Sequence, residues 1–291
     1  MKKVIIFIIC LILILTNLPY KEKTEDNADT LLNAVEYFYQ NIEGNLRIMT
    51  YNLLSHEIGF DGIFSEKRLS DIISLINSVQ PDILCLQEVS SDYYKLLKAQ
   101  TELQFISYIG NYLSRSMTVM MFNPERLTLS DCGCEVYRYS TNSRLRRYNW
   151  GIFEDRKTGE CFVAINTHLN LYEQAAAYPV LQATELIDFC NEIQEKYNYP
   201  LFIAGDFNSY QSTATSNTTV YSLLSRYCVD AKLLSQSKSY GIDKTLSSPV
   251  TDHIFCTDNV TVLSYTLLSQ PQLNTLSDHY AVFIDVSFNT S

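Results

Sequence analysis

The chain has 291 residues, 46% of them hydrophobic and 19% charged, with a formal net charge of -10. That balance suits one large globular domain or two small ones with a sizeable core, and it argues against a disordered chain. The acidic excess gives no support to a strongly basic binder held on nucleic acid by phosphate contacts alone, and it leaves nucleic acid open, because a divalent cation could supply positive charge locally.

Met1-Lys2-Lys3 is basic, and Val4 to Leu15 is then an unbroken apolar run followed by Thr16-Asn17-Leu18-Pro19. A run of this length suits a signal-peptide core and is short for a membrane span, which needs about 20 residues. Residues 1–20 are therefore read as a signal peptide, and the protein as exported, either secreted or extracytoplasmic. No small-residue cleavage signal stands out between Thr16 and Tyr20, so a membrane anchor formed by residues 4–18 is the alternative. Residues 21–44 form a charged linker and then a lead-in helix carrying Leu31, Leu32, Val35, Phe38 and Tyr39. Asn-x-Ser/Thr acceptors begin at Asn217, Asn259 and Asn289. Beyond Cys10, an odd number of cysteines leaves at least one thiol unpaired within an exported chain. Cys85 and Cys256 read as small buried hydrophobes, and Cys132-Gly133-Cys134 is too closely spaced for a zinc knuckle.

A single domain is expected over residues 45–291. LRIMTYNLL (46–54) is a β-rich run. Leu69, Ile72, Ile73, Ile76 and Val79 repeat at helical spacing up to Pro81. Buried strands are expected at Asp82–Val89, Thr118–Phe122 and Phe162–Asn166, and an amphipathic helix at Leu181–Ile193. Leu201–Ala204, between Pro200 and Gly205, is again a buried strand. Thr251–Thr257 and Tyr280–Val286 close the series. Strands mixed with helices indicate an α/β domain with two packed sheets or one large one.

Several strands end in polar residues that packing does not require: Asn52, Gln87-Glu88, Thr167-His168, Asp206 with Asn208, Asp252-His253 and Asp278-His279. At extended spacing Asp206 and Asn208 point the same way. Should these tips converge, they supply hard oxygen ligands suited to Mg2+, with Mn2+ as the alternative, and imidazoles able to move protons near neutral pH. No HExxH or histidine-rich spacing favours zinc.

MTYNLL, DILCLQEV, INTHLN, IAGDFNS, TDHIFC and LSDHYAVFIDV together resemble the endonuclease/exonuclease/phosphatase superfamily, in its order and across residues 46 to 288. The resemblance implies a four-layer α/β sandwich of two mostly antiparallel sheets flanked by helices, with the site at one end. It implies Glu88 as the principal ligand of a divalent metal, assisted by Asn52 and Asp278. His279 is implied as the base that takes a proton from the attacking water, with Asp252 orienting its ring. Asp206 and Asn208 would position the nucleophile and the phosphoryl oxygen. His168 would hydrogen-bond a non-bridging oxygen or help to protonate the leaving group. His253 reads as structural.

Two features depart from that pattern or fall outside it. Many relatives carry an arginine three residues before the glutamine corresponding to Gln182; here Pro179 stands there. Arg138, Arg144, Arg146 and Arg147 cluster in an acidic chain, either against a phosphate-bearing substrate or on a solvated loop. The expected activity is metal-dependent phosphodiester hydrolysis, with nucleic acid slightly ahead of phospholipid as substrate. Tyr137, Tyr139 and Tyr148 keep a sphingomyelinase-like lipid hydrolase open, and a phosphoinositide phosphatase is a further alternative. A catalytically silent binding protein of the same fold is the alternative from another class. No protein partner is implied, and a monomer is expected.

Overall fold

A computed structural model describes residues 46–54, 66–106, 117–140, 145–171, 177–210, 219–240, 250–270 and 273–288. The apolar N-terminal run, the linker and lead-in helix, Arg144, Asn217 and Asn289 lie outside the described residues. Thirteen strands among the described residues form two sheets. The first has the order β10 (Ser237–Tyr240), β12 (Val260–Leu268), β13 (Ala281–Phe288), β1 (Leu46–Asn52), β2 (Ile83–Val89), β4 (Met117–Phe122), β3 (Gln104–Phe105). The second has the order β5 (Leu127–Val136), β6 (Arg147–Asp155), β7 (Cys161–His168), β8 (Leu201–Asp206), β11 (Asp252–Cys256), β9 (Val229–Asp230). Only β1–β2, β10–β12 and β7–β8 pair in parallel, so both sheets are mostly antiparallel.

Strand parity divides the core into three layers. Ile48, Cys85, Phe162, Ala164, Phe202, Ile254 and Ile284 pack between the sheets. On the outer face of the first sheet, Met49, Leu84, Leu86 and Phe283 meet α1 (Glu66–Val79) and α2 (Ser91–Gln100). On the outer face of the second, Val163, Ile165, Leu201 and Ile203 meet α3 (Tyr178–Tyr197) and α4 (Val220–Tyr227). A single turn, α5 (Ala231–Leu234), follows β9. The architecture is helix, sheet, sheet, helix.

Local chemistry sets the boundaries. After α1, Gln80 takes φ 53° ahead of Pro81, which cannot continue a helix. Pro179 stands in the first turn of α3, where its missing N–H costs nothing. The hairpin β5–β6 and strand β12 are absent from the sequence reading. β5 is an edge strand with mixed exposure, and β12 carries a register shift between Val262 and Ser264 that breaks its alternation. The described cysteines are free thiols, with Cys85 and Cys256 fully buried.

Gly205 lets β7 and β8 approach. Its φ is 146°, and a Cβ there would lie 2.0 Å from the Thr167 carbonyl oxygen. Strain and overpacking together should cost Gly205→Ala roughly 3–5 kcal/mol. Urea denaturation should show a lower midpoint with the slope unchanged. A stability equal to the parent's would mean that β7 and β8 can separate without penalty.

Candidate active site

The topology brings the polar tips to one end. β1 and β2 run in parallel and finish there, as do β7 and β8, while the antiparallel β13, β11 and β6 begin there. Register aligns Asn52 with Gln87, His168 with Asp206, and Asp206 with Asp252. At the opposite end, Arg126 pairs with Asp82 and Asp155, and these ions belong to the fold.

Parity aims most of these side chains between the sheets, but not Glu88. In a regular strand it would share the helix-facing side with Leu84 and Leu86. Instead the β2–β4 register shifts between Leu86 and Val89, and Glu88 adopts φ 55°. This bulge turns its carboxylate toward the second sheet, where Oε1 lies 3.9 Å from His168 Nε2.

Asp206 is the hub. It accepts hydrogen bonds from Asn52 Nδ2 (3.1 Å) and the Asn208 backbone N–H (2.9 Å). Its Oδ2 lies 3.4 Å from His168 Nε2 and 3.8 Å from His279 Nε2. His279 Nδ1 sits 2.6 Å from Asp252 Oδ2, which leaves Nε2 turned toward Asp206 and Asp278. Ser277 fixes this corner by donating to the Asn52 carbonyl and accepting from the His279 N–H. Asn208, at φ 49°, gives its side-chain N–H to the Leu169 carbonyl. Asp278 is half exposed, with Oδ1 3.9 Å from His279 Nε2.

Carboxylates dominate the field. Burial works to lower the His279 imidazole, but Asp252, Asp206 and Asp278 override it and push it up to about 10. Burial holds Asp252 above the usual carboxylate range despite the ring beside it. The proton of this pair belongs on His279, which several carboxylates face. Asp206 lies below its usual value: burial raises it, and His168, His279 and hydrogen bonds from Asn208 and Asn52 outweigh that. Burial raises Glu88, against the Asn52 hydrogen bond and Arg146.

Sequence reasoning left Arg146 open between substrate contact and solvated loop. The structure buries it in this site. Its Nη1 lies 2.7 Å from His168 Nδ1 and 2.8 Å from Nε2, and Nε donates to Asn170 Oδ1 at 3.1 Å. A guanidinium has only donors, so the imidazole accepts. Asn170 Nδ2 is buried without a hydrogen-bond partner. Gln182 accepts from the Asn170 N–H and donates to the Tyr139 carbonyl, holding the loop after β7. Beneath the site, Gln87 donates across the sheets to Asn166, which in turn donates to the Leu86 and Val119 carbonyls. Asn166 carried no signal in the sequence. Arg138 is exposed, and Tyr137 and Tyr148 are buried, leaving Tyr139 as the exposed member of that group. His253 packs behind Asp252, bonded to Asp230 and to the Ser209 carbonyl.

Hard oxygens from Glu88, Asp206, Asp252, Asp278 and Asn52 within one acidic cluster suit a divalent cation. Asp206, Asp252 and His279 offer ligand atoms within 4.8 Å of one another. Residues 49–279 match the Endonuclease/Exonuclease/phosphatase family. The chain belongs to that family. Its members are hydrolases acting on phosphate esters, generally with a divalent metal.

Within the family, nocturnin from Rattus norvegicus is 26% identical over 215 residues, 62% of this chain and 49% of that protein. A probable CCR4-Not complex 3'-5'-exoribonuclease subunit from Vairimorpha ceranae is 25% identical over 221 residues, covering 62% and 44%. The chain thus spans half or less of these relatives. A family protein from Bacteroides thetaiotaomicron superposes with TM-score 0.72 at 19% identity, over 84% of this chain and 98% of that one. The human nocturnin catalytic domain does so with TM-score 0.64 at 23% identity, covering 84% and 94%. These superpositions establish the shared fold.

Proposed function

We propose that the chain is a divalent-metal-dependent phosphodiesterase, with nucleic acid ahead of phospholipid as substrate. The carrying observation is the meeting of two groups in the site. Glu88, Asp206, Asp252 and Asp278 form an acidic cluster, and His168, 3.4 Å from Asp206 and 3.9 Å from Glu88, joins it to Arg146 and the unpartnered Asn170 Nδ2. A phosphate cannot approach these carboxylates unless a cation offsets them, and the donors beside them fit its anionic oxygens. The relative named as a probable 3'-5'-exoribonuclease subunit supports the choice of nucleic acid.

In this reading Glu88 holds the metal with Asn52 and Asp278, and Mg2+ suits these oxygens. When bound, the ion neutralises charge that grows on the phosphate. Asp252 orients His279; with Asp206 and Asp278 offset by a cation, the ring gives up the proton they hold on it, and Nε2 then takes that of the attacking water. Asp206 and Asn208 position that water and the phosphoryl group. Arg146 and His168 hold non-bridging oxygens or steady the leaving group.

The test is hydrolysis of DNA, RNA, sphingomyelin and a phosphoinositide by the full chain, with Mg2+ or with chelator. Turnover of a nucleic acid that chelator abolishes supports the reading; metal-independent turnover would refute it. Arg146→Ala should lower kcat/KM about 100-fold, with Arg146→Lys recovering part of the loss. A circular dichroism spectrum should confirm that both variants fold. Unchanged kcat/KM would reduce the guanidinium to a structural support for His168. Export, proposed from the apolar N-terminus, is tested by mass spectrometry of the mature protein: a start at Met1 would leave the anchor.

A further inference from the structure

Glu88 reaches the site only because β2 is irregular there. Between the pairs Leu86–Val119 and Val89–Met117, Gln87 and Glu88 of β2 oppose Thr118 alone on β4. A bulge of this kind re-aims a side chain. Here it places Glu88 at φ 55°. That conformation is strained for a residue with a Cβ and persists only where its surroundings fix it. Asn166, on the facing sheet, makes the contacts that can do so. Its Nδ2 donates to the Leu86 carbonyl at 3.0 Å and to the Val119 carbonyl at 2.7 Å, one on each strand of the last regular pair. Its Oδ1 accepts from Nε2 of Gln87, the first bulged residue, at 2.8 Å. Every polar atom of this fully buried amide is engaged at the bulge.

Stability alone does not account for the arrangement. Asn166 shares its face of β7 with Phe162 and Ala164, both in the apolar layer between the sheets. An apolar side chain there would need no partners. Gln87 Oε1 stays buried without a hydrogen-bond partner, so the network retains an unfavourable group. We propose that Asn166 is the positioning residue for Glu88, clamping from β7 the β2–β4 bulge that aims the carboxylate into the site. The inference rests on the reading of Glu88 as a metal ligand and adds what holds it in place. His168 follows two residues later on the same face of β7. One strand therefore sets both the imidazole and, through the bulge, the carboxylate 3.9 Å from it.

The experiment is thermal unfolding of the full chain, in Mg2+ and in chelator, for Asn166→Leu, Glu88→Gln, the double variant and Phe162→Leu. Phe162→Leu perturbs the same face of the same strand. It should lower the melting temperature and leave unchanged the Mg2+ concentration that gives half the stabilisation. Asn166→Leu should raise that concentration at least about tenfold. In chelator, Glu88→Gln should raise the melting temperature of the parent and leave that of Asn166→Leu unmoved. A carboxylate no longer aimed into the acidic cluster gains nothing from losing its charge, and the cycle isolates that coupling. An unchanged Mg2+ requirement, or the same effect of Glu88→Gln in both backgrounds, would overturn the inference. A parent that gains nothing from Mg2+ would refute the metal reading, and the comparison in chelator would still decide the role of Asn166. If the leucine variant does not fold, Asn166→Ser, too short to reach the first sheet, replaces it in each comparison.

Discussion

Replacing His279 with alanine is expected to lower kcat on a cleavable phosphodiester about 1000-fold while leaving KM within a few-fold. The ring is held by Asp252 at 2.6 Å, with its other nitrogen turned to Asp206 and Asp278. Once a cation offsets those carboxylates, it can take a proton without contributing much to substrate affinity. Asp252→Asn should cost at least as much, because the amide no longer stabilises the charged form of the ring and can hold it in the wrong tautomer. A second readout separates this role from packing. In the metal-free protein the imidazole is pushed up to about 10, well above the value of about 6.5 for an unfolded histidine. A group raised on folding stabilises fully below its unfolded pKa and loses that contribution as pH rises through the folded one. In chelator, the melting temperature should fall between pH 7 and 10, and His279→Gln should flatten the fall. A variant keeping more than about a tenth of the parent kcat would remove the ring from the chemistry.

Legibility in the sequence followed periodicity. The buried runs of β1, β2, β7, β8 and β11 show themselves because a strand packed on both faces is apolar throughout, so a polar tip stands out. Asn52, His168, Asp206 and Asp252 were found that way, and register then places them together. The orientation of Glu88 was not legible. Strand parity sends it to the helices, and only the bulge at φ 55° reverses that. Arg146 was ambiguous for a different reason. It precedes the first residue of β6, where no alternation reports which way a side chain turns. Its distance from His168 is set by the β6–β7 pairing of Tyr148 with Thr167. Asn166 looked like one more strand residue, because the groups it satisfies belong to the other sheet.

Glu88→Gln is expected to abolish measurable turnover while making the metal-free protein more stable. Both effects follow from one placement. Burial and the neighbouring Asp206 disfavour the carboxylate more than the Asn52 hydrogen bond, Arg146 and His279 favour it, so its pKa lies above the usual value. A raised carboxylate pKa means that the charged form works against folding at neutral pH, and an amide of the same shape removes that charge. The glutamine keeps an oxygen for Asn52 and meets the same backbone strain at φ 55°. In chelator the variant should therefore melt at a higher temperature, by the equivalent of about 1 kcal/mol. The parent should gain stability as Mg2+ is added, because the ion binds only the folded chain, and the gain should grow with the logarithm of its concentration. With Glu88 gone, that gain should shrink to a small fraction, since the site loses the charge that most needs a cation. The two effects have opposite signs, which separates a metal ligand from a structural carboxylate. A glutamine variant that is less stable in chelator, yet still gains as much from Mg2+ as the parent, would move the ion elsewhere in the cluster, with Asp206, Asp252 and His279 the next set to substitute.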